Sequence, residues 1–203
     1  MSDHIPWDGA FKGQLQPGEK PALLLVDPVI AYVVDDSPLK LETGQATVDA
    51  MARLLGLFRE RGLPIAFTNV QYKEDGSDGG VFFRKVPALK LFAGEAPLGA
   101  FPEELAPAEG EVVFTKQYPS AFFGTELDAW LKESAVDTVY VCGFSTSGCV
   151  RASVLDAMQY GYIPLTVTDA CSDRSEAIQS ANLHDLAAKY SEMVTVDQVS
   201  GLL

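Results

Sequence analysis

Three residue types that can do chemistry together recur at comparable places along this 203-residue chain: a cysteine, an acid and a lysine. Cys149 comes after Val139-Tyr-Val-Cys, an apolar run of strand type, and after the small or turn-prone residues from Gly143 to Gly148, with Phe144 as the exception. Behind it Val150, Ala152, Val154, Leu155, Ala157 and Met158 recur at helical spacing, and Gly161 marks the end. Cys149 is thus expected where a buried strand hands over to the first turn of a helix. Unpaired N–H groups and the positive end of the helix dipole favour an anion there, and a thiolate is a nucleophile. A small apolar cysteine packed in a turn fits the same stretch, which alone does not choose between the two. Asp27 closes the apolar run 22–26, and Lys116 closes 111–115. Taken singly, an acid or a lysine often ends a strand simply by being solvated. Taken together, the three supply a base, a cation and a nucleophile, a set suited to breaking an amide through a covalent thioester.

The elements that must position them follow from hydrophobic patterning. Strands are expected over 22–27, 64–70, 111–115, 138–143, 163–168 and 193–196. Helices are expected over 45–61, 124–134, from Cys149 to about Tyr160, and over 175–190. Strands alternating with helices predict one three-layer α/β/α domain, Rossmann-like, with a mostly parallel six-stranded sheet. Right-handed crossovers place every strand's carboxyl end at one edge, where open sheets of this class bind ligands. Asp27, Lys116 and Cys149 all fall at that edge. Residues 1–20, rich in Gly and Pro with isolated aromatics at Trp7 and Phe11, read as an arm lying over a surface, and 21–203 as the domain. Residues 71–110 form a long irregular region; its segment Val81-Phe-Phe-Arg-Lys-Val-Pro-Ala-Leu reads either as a covering loop or as a substrate contact.

Composition narrows the partners. Net charge is −13, from 15 basic and 28 acidic residues, with no Lys/Arg cluster, which argues against nucleic acid and anionic membranes as partners. No apolar stretch is long enough to span a bilayer, and the first residues lack signal-peptide character, so a cytoplasmic protein is expected. The three cysteines and two histidines, His4 and His184, fit no zinc spacing, and neither a structural metal nor a cofactor is expected. Cys142 reads as core; Cys171 reads as core or lining.

Two other motifs come close. Gly143-Phe-Ser-Thr-Ser-Gly148 has P-loop glycine spacing, but Cys149-Val150 replaces the Lys-Ser/Thr pair that grips phosphate and magnesium. Gly143-Phe-Ser145-Thr-Ser147 is nearly a serine nucleophile elbow, and Asp169 and His184 follow in the order of such a triad. The fifth elbow position is Ser147 rather than Gly, however, and His184 lies inside a helical pattern. A non-catalytic binding member of the fold is the reading from another class, and the intact Asp27, Lys116 and Cys149 argue against it.

Asp27, the run Phe114-Thr-Lys-Gln-Tyr-Pro-Ser-Ala-Phe-Phe-Gly-Thr125 and Gly143-Phe-Ser-Thr-Ser-Gly-Cys-Val-Arg151 resemble the isochorismatase-like cysteine hydrolases over most of the chain, from Pro21 to Val196. The resemblance implies a catalytic triad of Asp27, Lys116 and Cys149, and a cis peptide between Phe144 and Ser145. It is accompanied by an expected oxyanion hole from the backbone N–H groups of Ser145 and Cys149. Nicotinamidases of this superfamily carry an Asp and two His as metal ligands after the second strand. Here the region reads Thr68-Asn-Val-Gln-Tyr-Lys-Glu-Asp75 without His, so no metal is expected. Ala31-Tyr32, Ser37-Pro38-Leu39, Lys85-Val-Pro-Ala-Leu89, Ser172-Asp-Arg174, Asn182-Leu-His-Asp185 and Ala188-Lys-Tyr190 resemble the N-carbamoylsarcosine and maleamate amidase branch. That likeness implies a small amide substrate with a carboxylate bound by Arg174, and Thr146, Tyr32, Phe83 and Lys85 as further lining. Biuret- or nicotinamide-like amides stay open as alternatives. It also implies a homo-oligomer, dimer or tetramer.

Overall fold

The computed structural model describes residue 11 and residues 13–203, so Trp7 and His4 lie outside the described residues. Six strands form one sheet: β1 (Pro21–Val26), β2 (Ile65–Val70), β3 (Val112–Lys116), β4 (Thr138–Phe144), β5 (Ile163–Ser172) and β6 (Glu192–Val194). Their order is β3-β2-β1-β4-β5-β6, and every neighbouring pair is parallel. Parallel strands buried on both faces need continuous apolar runs. β1 and β4 supply them: Leu23, Leu24, Leu25 and Val26, and Val139, Tyr140, Val141 and Cys142, are all buried.

Among the described residues, six α-helices link and flank the strands: α1 (Gly44–Glu60), α2 (Gly80–Lys85), α3 (Leu127–Glu133), α4 (Arg151–Gln159), α5 (Glu176–Lys189) and α6 (Val196–Leu202). α1 turns Val48, Met51, Leu54, Leu55 and Phe58 inward at helical spacing, with α6 packed beside it. α5 is tied to the start of α4, where Arg151 donates to Asn182 Oδ1 at 3.2 Å and to Asp185 Oδ2 at 3.4 Å. Residues 13–20 lie on the chain's own surface: the Leu15 N–H donates to Glu192, that of Gly18 to Thr138, and those of Glu19 and Lys20 to Asp137.

Three elements depart from their sequence-based outlines. β5 runs on to Ser172 instead of stopping before Asp169, because a register shift between Val141 and Gly143 lets pairing with β4 resume. Asp169 therefore lies within the strand, accepting the Val196 N–H at 2.9 Å. α6 was not expected; Thr195 and Gln198 start it with reciprocal side-chain-to-backbone bonds. The stretch 71–110 carries α2 and three short 3₁₀ turns within otherwise irregular chain.

Sheet order reverses between β1 and β4, so the segments leaving those two strands diverge and open a crevice between them. The two backbones meet closely there. Gly143 has φ of +124°, and a Cβ on it would stand 2.0 Å from the Val26 carbonyl oxygen. No other residue suits both the dihedral and the space. Gly143→Ala is expected to destabilise the protein by ~3 kcal/mol or more. The corresponding fall in melting temperature is ~6–12 °C for a chain of this size, checked by circular-dichroism melts.

Candidate active site

The crevice brings Asp27, Lys116 and Cys149 together. Asp27 is the first residue after β1 and is 2% exposed, with φ of +47°. Lys116 ends β3, is fully buried, and donates from Nζ to Asp27 Oδ2 at 2.8 Å and to the Tyr118 carbonyl at 3.1 Å. β2 lies between the two strands, and its Thr68 completes the arrangement. Thr68 Oγ1 accepts the Asp27 N–H at 3.0 Å and donates to Asp27 Oδ1 at 2.7 Å. Because the hydroxyl oxygen is committed to an N–H, its own proton is directed at the carboxylate. Each Asp27 oxygen thus has one fixed donor, and the carboxylate plane is set.

Cys149 belongs to a turn, Thr146–Val150, wound as a π-helix and interrupted by non-helical backbone at Gly148. α4 proper starts two residues later than the sequence pattern suggests. The Phe144–Ser145 peptide bond that leads into this turn is cis. Ser153 Oγ donates to the Cys149 carbonyl at 2.7 Å and accepts the Ala121 N–H at 2.9 Å, which ties the turn to the segment after β3.

The electrostatics correct one expectation. The start of a helix was read as favouring an anion at Cys149; here its thiol is pushed up to about 12. Desolvation is the largest cause. The Lys116 ammonium pulls the other way, but the Asp27 charge and a hydrogen bond to Asp27 oppose it. Cys149 is only partly covered by protein and lines the cavity described below. Lys116 shows the opposite balance. Burial alone would lower its pKa, but the charges of Asp27 and Cys149 outweigh burial and hold it above the ordinary lysine value. The resting site is then an ion pair facing a neutral thiol. Such a site can move a proton from sulfur to carboxylate as the sulfur attacks an electrophile.

A cavity of about 490 Å³ opens over the sulfur. Arg174 and Tyr32 line it, as do Ser145 and Cys149. Tyr32 stacks on Phe144 with ring centroids 4.7 Å apart; burial, then the negative charges of Cys149, Asp27 and Asp173, raise its pKa well above the usual tyrosine value. Thr146, Phe83 and Lys85 do not line the cavity. Thr146 is fully buried beneath the turn, Phe83 packs edge-on against Tyr72, and Lys85 is exposed at the end of α2. The apolar wall is built by Phe82, Val86 and Leu89 instead. Val86 leaves helical geometry and Leu89 belongs to the following 3₁₀ turn, so no single helical face marked these three in the sequence.

Lys40, Asp173 and Thr68 are the site residues that patterning did not single out. Lys40 shares the cavity with Arg174 and pairs with the exposed Asp35. The alternative serine triad is not assembled: Asp169 caps α6 and faces Arg53, while His184 is exposed on α5. Among the described residues, no group of three or more His, Cys, Asp or Glu side chains is arranged to hold a metal ion. No helix among them is long and apolar enough to cross a membrane.

Comparison with known proteins places these features in context. The Isochorismatase domain family model matches residues 21–198. Maleamate amidohydrolase of Pseudomonas putida is 42% identical over 190 residues, covering 93% of this chain and 89% of that protein. N-carbamoylsarcosine amidase of an Arthrobacter species is 30% identical over 194 residues, covering 93% and 73%. A solved isochorismatase family protein from Desulfovibrio vulgaris superposes with a TM-score of 0.83 at 30% identity, over 91% of this chain and 98% of that one.

Two measurements check the site as described. Thr68→Val leaves the Asp27 N–H and Oδ1 each without a partner and is expected to cost ~3 kcal/mol, whereas Thr68→Ser retains both bonds and costs ~1 kcal/mol, read from urea midpoints. Because the Cys149 thiol titrates near 12, its alkylation by iodoacetamide in the free protein should rise ~tenfold per pH unit from pH 7 to pH 10. A rate already level at pH 8 would contradict the neutral resting thiol.

Proposed function

With the chain belonging to the isochorismatase family and being a hydrolase of non-peptide C–N bonds, we propose that it releases ammonia from a small carboxylate-bearing amide of the maleamate class. The observation that carries this reading is the meeting, in one cavity, of Cys149 beside the Asp27–Lys116 pair with Arg174. The first set suits attack on an amide carbon. The guanidinium suits a carboxylate, whose two oxygens its planar fork matches. The 42% identity to a maleamate amidohydrolase favours an amide over an N-carbamoyl group.

In the proposed reaction, Asp27 takes the proton of Cys149 as the sulfur adds to the carbonyl carbon. Lys116 keeps Asp27 ionised beforehand and stabilises the negative charge of the sulfur as it forms. The tetrahedral oxyanion is received by the backbone N–H groups of Ser145 and Cys149, where a single donor is worth ~3 kcal/mol. Collapse breaks the C–N bond, and the proton held by Asp27 leaves with nitrogen as ammonia. Water then adds to the thioester, Asp27 accepting its proton and returning it to the departing sulfur. The new carboxylic acid releases its remaining proton to ammonia, so the products are a dicarboxylate and ammonium, and the protein regains its starting protonation.

The resting thiol suits this order of events. Substrate binding places an electrophile over the sulfur, so that the proton moves during attack and no free thiolate accumulates beforehand. Arg174, 68% exposed at the cavity wall, is steadied by Asp173 at 3.3 Å and remains open to an incoming carboxylate.

Ammonia release from maleamate, N-carbamoylsarcosine and nicotinamide tests the reading. Maleamate should give the highest kcat/KM. Cys149→Ala should lower turnover at least ~10⁴-fold while leaving the melting temperature nearly unchanged. Arg174→Ala should raise KM for maleamate ~tenfold or more. Equal turnover of nicotinamide and maleamate, or full activity in Cys149→Ala, would sink it.

A further inference from the structure

Asp173 lies beside Arg174 but faces the other way. Its side chain is 1% exposed, against 68% for Arg174. One carboxylate oxygen, Oδ2, accepts the Ser147 N–H at 2.6 Å. The other, Oδ1, accepts the Arg174 N–H at 2.8 Å and faces the Arg174 guanidinium at 3.3 Å. The same guanidinium nitrogen lies 3.4 Å from Ser147 Oγ. A single buried carboxylate therefore spans the ends of two strands. It holds the turn after β4, two residues before Cys149, and the guanidinium after β5.

That turn has little else to fix it at Ser147. The Gly148 and Val150 N–H groups both return to the Ser145 carbonyl, which closes the turn on itself, and Gly148 departs from helical geometry. The Ser147 bond to Asp173 ties the turn to the neighbouring strand. Bonds to an ionised acceptor are shorter and stronger than neutral ones, and 2.6 Å is at the short end of that range.

We propose that Asp173 is a positioning residue that sets the Cys149 turn and the Arg174 guanidinium from one carboxylate, so that the distance between nucleophile and carboxylate contact is fixed by a single group. This rests on the reading of Cys149 and Arg174 given above. It has a consequence that a purely structural acid would not have. Removing the charge of Asp173 should disturb reaction at the sulfur and recognition of a carboxylate together, whereas removing Arg174 should disturb only the second.

Two alkylating reagents separate these effects without relying on turnover. Iodoacetamide and iodoacetate are nearly the same size, and only the latter carries a carboxylate. Modification of Cys149 is followed by peptide mass spectrometry, which distinguishes it from the buried Cys142 and Cys171. Arg174→Ala should slow iodoacetate ~tenfold and leave iodoacetamide within twofold. Asp173→Asn should slow both reagents, iodoacetamide ~tenfold and iodoacetate further, because the amide cannot accept from both the Ser147 and the Arg174 N–H groups. If Arg174→Ala slows iodoacetate but Asp173→Asn leaves both rates unchanged, the positioning role is overturned while the carboxylate contact stands. If Arg174→Ala leaves the iodoacetate rate unchanged, the guanidinium half of the proposal falls with the reading it rests on. Should Asp173→Asn fail to fold, hydrogen exchange of the native protein decides. The Ser147 amide should be protected ~100-fold or more over an exposed amide, and exchange at the exposed rate overturns the proposal.

Discussion

The contact on which the rest of this structure depends is the ion pair between Lys116 and Asp27, 2.8 Å long, with side chains 0% and 3% exposed. Taking two charges out of water is unfavourable by several kcal/mol each, and their attraction offsets this only with good geometry and with the remaining donors and acceptors filled. The surroundings meet that condition. Lys116 has a second acceptor in the Tyr118 carbonyl, and Asp27 has a second donor in Thr68. The two partners come from β3 and β1, with β2 between them, so the pair forms only when three strands are in register. The pairing of Val70 with Lys116 and of Leu25 with Phe67 is that register. Replacing such a buried pair with packed hydrophobic residues is often neutral or stabilising, so the pair by itself is weak evidence for stability.

The thiol completes the electrostatics by staying neutral. One cation and one anion are already in balance around Cys149, so ionising it would add an unpaired charge to a desolvated place. This differs from a cysteine at the start of a long helix, where N–H groups and dipole are the dominant local field. Here the residue sits in an irregular turn ahead of a nine-residue helix, and burial outweighs what that helix end supplies.

Much of this was legible in the chain. Strand-type runs that end in Asp27 and Lys116 marked two strand ends, and the strand-to-turn pattern around Cys149 marked a third. Strand alternation with helices then implied that these ends share one edge. What escaped is what depends on neighbours distant in sequence. Thr68 reads as an ordinary β-branched strand residue until Asp27 lies beside it. Asp173 reads as a solvated acid next to an arginine until the Ser147 N–H closes over it. Residues 169–172 look like a loop because β5 carries extra residues, 167–170, opposite Cys142 of β4 before pairing resumes at Cys171, and only the partner strand shows that resumption. Phe82 and Phe83 differ only in which face of a short helix they occupy, and local composition does not distinguish them. α6 is a different case: Thr195 and Gln198 at the spacing of a capping box were local information.

The neutral resting state of Cys149 also bears on durability. Peroxides and disulfides react with thiolates, and the first step of oxidative damage to a cysteine requires the ionised form. Cys142, Cys149 and Cys171 are all held above the ordinary thiol value, chiefly by burial. With their thiols held neutral, all three offer oxidants little thiolate. The same desolvation that raises the Cys149 thiol thus slows its reaction with oxidants.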